Sequence, residues 1–186
     1  MVQTHYRVPF YHSRSVLYHN QYHLIMKTII SLLVYLSFAT VVYAQNLPSV
    51  DIKTLEGKNI NTSTIKSNDK PFIICFWKSC CKVNETMLEI LSEHYDDWQE
   101  EFEVKIYAVS IDDSRSAQKI KPLVNAKGWS LEFLQDINSD FKRALGVNTV
   151  PHISIYNSYG NLITQLTGFS TGTENEIYEI LKENKK

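Results

Sequence analysis

The sequence predicts a three-layer α/β domain, with a central mixed sheet, helices on both faces and a β-hairpin at the N-terminal edge. Three observations carry this. Two continuous apolar runs, "PFIICFW" at 71–77 and "VKIYAVSID" at 104–112, read as strands covered on both faces. Segments with apolar residues at three- and four-residue spacing alternate with such runs, and alternating strands and helices predict a mainly parallel sheet. Finally, "PHISIYNSYGNLITQLTGF" at 151–169 reads as strand, turn and strand, which adds an antiparallel edge.

The elements follow in order. Residues 47–70, "LPSVDIKTLEGKNINTSTIKSNDK", are polar and turn-rich, with Glu56-Gly57-Lys58 as the turn between two short strands. After the first apolar run, Met87, Leu88, Leu91, Tyr95 and Trp98 mark one face of a helix, with Glu85, Glu89, Glu93 and Asp96 between them. The spacing predicts a further helix over Arg115–Lys127, ended by Gly128, and a short strand in "SLEFLQD". "NSDFKRALGV" reads as a short helix with Asn138 or Ser139 as cap and Gly146 as stop. Thr173-Glu174-Asn175-Glu176 reads as a capping box opening the last helix. Trp98 and Trp129 are expected in helix–sheet contacts. No internal repeat and no linker divides this region.

A chain of 186 residues that is 44% apolar and 21% charged has the material for one domain with a sizeable core. Residues 1–44 carry Arg7, Arg14 and Lys27 and no acid, so the rest holds 16 of the 19 basic and all 20 acidic groups. That balance implies no basic face, and so no nucleic-acid partner. "MKTIISLLVYLSFATVVYAQ" from Met26 has the three parts of a secretory signal peptide, with cleavage expected after Ala44. Its apolar stretch, Thr28 to Val42, is shorter than the ~20 residues a spanning helix needs. No cysteine follows the cleavage point, which argues against a lipid-anchored product. Residues 1–25 hold His5, His12, His19 and His23; they are read as a mis-assigned extension ahead of Met26 rather than a metal-binding tail. The expected organisation is therefore extension 1–25, signal peptide 26–44 and domain 45–186. The product is expected in the periplasm, soluble once cleaved and membrane-tethered if uncleaved.

Export places Cys75, Cys80 and Cys81 where disulfides persist. Three is odd, so at least one thiol is free or paired outside the chain. In "FWKSCCKVN" at 76–84, Cys81 falls where the helix begins, beside Lys82. Unpaired amides and partial positive charge there stabilise a thiolate, the nucleophile of disulfide exchange, and are expected to lower the thiol pKa. Cys80 reads either as a transient redox switch or as a small filler. Neighbouring Cα atoms lie ~3.8 Å apart across a trans peptide, below the ~4.4–6.8 Å usual for a disulfide, so a Cys80–Cys81 bridge would be strained and easily reduced. Cys75, within a buried run, reads as a small hydrophobe, with resolution of Cys81 from beneath as the lesser alternative. Pro151, directly before a strand, marks a tight turn. His94 and His152 lack partners at metal-ligand spacing, so neither a metal site nor a cofactor is expected.

"FWKSCCKVN", the order of elements, and "TVP" before the terminal hairpin and helix together resemble the thioredoxin fold, and within it the exported thiol-disulfide oxidoreductases of the TlpA/ResA type. The likeness covers nearly all of residues 47–184, including the additional helix and strand between "VKIYAVSID" and Pro151. It implies a thioredoxin-like sandwich. In that family a tryptophan lies four residues before the nucleophilic cysteine of C-x-x-C, which makes Trp77 that tryptophan and Cys81 the nucleophile. It also makes Pro151 the family's cis-proline, with Val150 lending backbone groups to a bound extended peptide. The departures are specific. Asn84 stands where the resolving cysteine belongs, giving C-x-x-N. Cys80 stands where an aromatic is common, Val83 where proline is common, and Cys75 where cytosolic thioredoxins keep a buried acid. Peroxiredoxins share the fold but need P-x-x-x-T-x-x-C, and the residue three before Cys81 is Lys78.

The resemblance implies a thiol-disulfide exchange protein using Cys81 to reduce or isomerise disulfides; since the family's resolving cysteine is missing, release of the mixed disulfide would need a second thiol from the substrate, a small-molecule thiol, or Cys80 as a second catalytic cysteine. Trp77, Val150 and Pro151 would hold substrate, Trp77 also packing under the cysteine turn. The partners would be cysteine-containing exported proteins or a small-molecule thiol, and a membrane-bound electron donor. The alternative is a redox-inactive module that binds a partner near Pro151.

Overall fold

The computed structural model describes residues 26–28, 30, 31, 47–65 and 69–185. The chain divides into two compact units, Met1–Tyr43 and Ala44–Lys186. In the first, the described residues 26–28, 30 and 31 are helical. Most of the expected signal peptide and all of residues 1–25 lie outside the described residues.

The second unit is built on a seven-stranded sheet of order β2-β1-β5-β4-β3-β6-β7. Its strands are β1 (Asp51–Thr54), β2 (Asn59–Asn61), β3 (Phe72–Trp77), β4 (Lys105–Ser110), β5 (Glu132–Gln135), β6 (His152–Tyr156) and β7 (Leu162–Thr167). Its helices are α1 (Lys82–Phe102), α2 (Ile120–Lys127), α3 (Asp140–Ala144) and α4 (Thr173–Glu183). The sheet is not mainly parallel as expected: parallel pairing is confined to β3–β4 and β4–β5, because hairpins rather than helical crossovers build both flanks. The terminal hairpin joins antiparallel to β3, and the first hairpin joins antiparallel to β5, so the mixed sheet carries an antiparallel pair at each edge.

Every residue of β3 is buried, because both faces of the sheet are covered. On one face Ile73, Cys75 and Trp77 pack with Met87, Leu88, Leu91 and Trp98 of α1, Ile120 and Val124 of α2, and Ile177 and Leu181 of α4. On the other, Phe72, Ile74 and Phe76 pack with Phe141 of α3 and with Leu47, Ile52 and Ile65. The second covering layer is therefore thin, a short helix plus the N-terminal segment. Trp98 and Trp129 are both buried in the first cluster, where the apolar spacing puts them.

Two boundaries differ from the sequence reading, and one cap is held by other bonds, each for a local reason. The helix expected from Arg115 begins as a 3-10 turn, Ala117–Lys119, and becomes α-helical at Ile120. Pro122, with no amide hydrogen, fits only the first turn of an α-helix, which sets that start. The capping box at Thr173 does not form, since Gly172, at φ +98°, is itself the N-cap. Its amide donates to the Glu174 carboxylate at 3.0 Å rather than leaving that contact to Glu176. Ser139 caps α3 in position but makes no side-chain bond; the Asp136 carboxylate instead accepts the Lys142 amide at 2.8 Å.

Candidate functional site

β3 ends at Trp77, and the chain turns through Lys78, Ser79 and Cys80 before Cys81 caps α1 with extended backbone, φ −127° and ψ 124°. The Cys81 carbonyl accepts the Asn84 amide at 3.0 Å, which starts the helix. A helix start offers further amides with no partner inside the helix. Cys80 and Cys81 are exposed, and their sulfurs lie 3.2 Å apart.

The parallel partner β4 fixes this turn. Trp77 is in register with Ser110, so the residues after each strand emerge side by side. Asp112, only 2% exposed, accepts hydrogen bonds from the Ser79 amide (3.0 Å), the Ser79 hydroxyl (2.7 Å) and the Ser110 hydroxyl (2.8 Å). A carboxylate with three donors holds the loop that presents both thiols. Sequence reading passed over Asp112; the signal was an acid directly after a buried strand adjacent to the one that delivers the cysteines.

On the other side, the antiparallel partner β6 begins beside the end of β3, with Phe76 opposite His152. This brings Val150 and Pro151 to the edge of the cysteine turn. The Val150–Pro151 peptide is cis. Pro151 is buried and its carbonyl accepts the Gly168 amide at 2.9 Å, while Val150 is half-buried. His152 is buried, with Nδ1 3.2 Å from the Thr167 hydroxyl and Nε2 unpartnered. Burial, and then the charge of Lys142, push its pKa down.

Trp77 is fully buried, meeting the rings of Trp129 and Phe133 edge-on at 6.1 Å each. It offers no exposed surface for the substrate contact expected of it and packs beneath the turn. Cys75 is fully buried, and burial alone pushes its thiol far up, which suits a packing residue in the sheet.

A correction concerns Cys81. Its thiol is pushed up, first by the hydrogen-bonded Cys80, then by desolvation and by charge on Cys80 and Asp112, against an opposing Lys78. The thiol of Cys80, 3.2 Å away, disfavours ionisation of Cys81. The helix start favours the thiolate, but the neighbouring thiol sets the direction. Removing that neighbour with Cys80→Ala is expected to move the pH profile of Cys81 alkylation to lower pH. A midpoint unchanged or moved upward contradicts this account of the pair.

Asn84 lies in the apolar stripe of α1 with Met87, Leu88 and Leu91, and is fully buried. Neither Oδ1 nor Nδ2 has a hydrogen-bond partner. The position three beyond Cys81 thus holds an amide where nothing nearby satisfies it. Among the described residues no group of three His, Cys, Asp or Glu is placed to hold a metal ion. His94 stacks on Trp98 at 5.5 Å instead.

A sheet that carries an exposed cysteine at the start of its first long helix, flanked by a cis-proline, defines a thioredoxin-like protein. The chain belongs to the AhpC/TSA family, whose sequence profile matches residues 43–174. A thioredoxin-like protein from Porphyromonas gingivalis is 40% identical, with 77% of this chain and 93% of that one covered and a TM-score of 0.68. A thiol-disulfide oxidoreductase from Bacteroides fragilis is similar in fold at 14% identity, covering 73% and 99%, with a TM-score of 0.60. A secreted disulfide oxidoreductase of Mycobacterium tuberculosis matches at 16% identity, covering 73% and 96%, with a TM-score of 0.58. No curated protein matches the chain by sequence.

Proposed function

We propose that the protein catalyses thiol-disulfide exchange in the manner of the exported TlpA/ResA-type proteins, with Cys81 as the nucleophile. The observation that carries this is an exposed Cys81 capping α1, on a turn that Asp112 holds beside the cis Val150–Pro151 peptide. The Cys81 thiolate attacks one sulfur of a substrate disulfide, the S–S bond breaks, and the second substrate sulfur leaves as a thiolate. The backbone of half-buried Val150 pairs with an extended substrate segment, and Val83, 42% exposed in the first turn of α1, offers it apolar contact. The buried amide of Asn84 cannot resolve the mixed disulfide as a cysteine would, which favours reduction or isomerisation driven by an external thiol over net oxidation. Lys78, three before Cys81, breaks the peroxiredoxin signature, so a peroxidase reading gains no support from the family profile.

The substrates on this reading are cysteine-containing exported proteins, and the small-molecule thiol or membrane-bound donor supplies electrons. Export to the periplasm rests on the signal-like segment 26–44. No helix among the described residues is long and apolar enough to cross a membrane. The Mycobacterium match is a secreted protein, which supports the same placement.

A second reading, a redox-inactive module that binds a partner near Pro151, draws on Asn84 and on the raised pKa of Cys81. The experiment that separates them is thiol-driven reduction of a disulfide-bonded protein with and without the purified domain. Acceleration in proportion to the domain added is expected; a rate equal to that of the thiol alone supports the binding module.

A further inference from the structure

We propose that Cys80 is the resolving thiol of this site, so that the protein cycles between a vicinal dithiol and a Cys80–Cys81 disulfide. The inference rests on the reading of Cys81 as nucleophile and assigns the partner that reading lacks. Besides Cys81 two thiols are available, Cys75 and Cys80, and the geometry separates them. Cys75 is fully buried within β3, between Ala108 and Ile153 on the neighbouring strands. The position three beyond Cys81 holds the buried amide of Asn84. Cys80 alone is exposed and has its sulfur 3.2 Å from that of Cys81, already at the approach distance for attack. Both sit on the turn fixed through Ser79 by Asp112.

The step balances as an exchange. With a substrate sulfur bonded to Cys81, the Cys80 thiol loses its proton and its sulfur attacks the Cys81 sulfur. The Cys80–Cys81 bond forms, the bond from Cys81 to the substrate breaks, and the substrate leaves as a thiolate that takes up a proton. The substrate disulfide has then gained two electrons and the cysteine pair has lost two. A small-molecule thiol or dithiol returns them in two further exchanges. Adjacent Cα atoms are too close for a relaxed bridge, so the disulfide is oxidising and short-lived, and the exchange is drawn toward substrate reduction only by an excess of the small-molecule thiol, which reopens the bridge as it forms.

The test uses 5,5′-dithiobis(2-nitrobenzoate) with the full domain, reading release of the coloured thiol and the intact mass. The wild-type domain is expected to release two equivalents and finish with no adduct, lighter by two hydrogens. The new link should lie within the tryptic fragment Ser79–Lys82. Cys80→Ser should release half as much and keep one stable adduct on Cys81. A wild-type domain that retains one or two adducts, or that links Cys81 to Cys75, overturns the role of Cys80 while leaving Cys81 as nucleophile. Rapid first release from Cys81→Ser with none from Cys80→Ser overturns the nucleophile assignment itself, and this inference with it.

Discussion

Cys81→Ser is expected to return thiol-driven disulfide reduction to the rate of the thiol alone. A hydroxyl at this position does not ionise in the working pH range, and exchange proceeds only through a thiolate. The substitution is nearly isosteric at an exposed N-cap, where serine is a preferred residue, so the fold should be retained and the helix start slightly strengthened. The check is the pair of rates measured at one protein concentration alongside the unfolding midpoint. A variant with unchanged stability and unchanged acceleration removes Cys81 from the chemistry.

Asn84→Cys should change both stability and chemistry. The native amide is fully buried with neither polar atom bonded, and leaving such groups unsatisfied costs on the order of 1–3 kcal/mol. A thiol behaves there as a small hydrophobe and removes that cost. In the reduced state the variant should therefore gain about 1–3 kcal/mol in denaturant unfolding. It also places a further thiol one helical turn from Cys81, so oxidation should yield a bridge between Cys81 and the introduced thiol in place of the strained Cys80–Cys81 link. Loss of stability in the reduced variant would show that the Asn84 amide is held by partners whose removal costs more than its burial.

The fold was legible because its main signals are physical and local. Continuous burial of "PFIICFW" and "VKIYAVSID" required two covered faces, and the structure covers both. The turn from Asn157 to Asn161 closes as its asparagine and glycine spacing implies, with the Asn157 side chain accepting the amides of Tyr159 and Asn161. What failed was local detail that depends on one backbone angle, such as the N-cap at Gly172, or on one missing hydrogen, such as that of Pro122. The site was legible as positions more than as interactions. Sequence register put Cys81 at a helix start and Pro151 before a strand, and the structure brings both to one end of β3. An acid directly after a buried strand marked Asp112 as a candidate, but its bond to Ser79 spans the gap between two parallel strands and leaves no periodic trace that names the partner. Nor could sequence register weigh Cys80 against the helix start in setting the Cys81 thiol, since the answer rests on a distance between two side chains. The complete burial of Trp77 was not legible either, because an apolar residue at a strand end gives no sign of how completely its neighbours cover it.

The central claim is that Cys81 makes the first bond to a substrate disulfide. Its most direct test is site-resolved mass spectrometry after a single turnover of Cys80→Ser with a disulfide-bonded peptide, quenched by acid. One mixed disulfide is expected, with the peptide on Cys81. No mixed disulfide, or a peptide carried on Cys75, would contradict it.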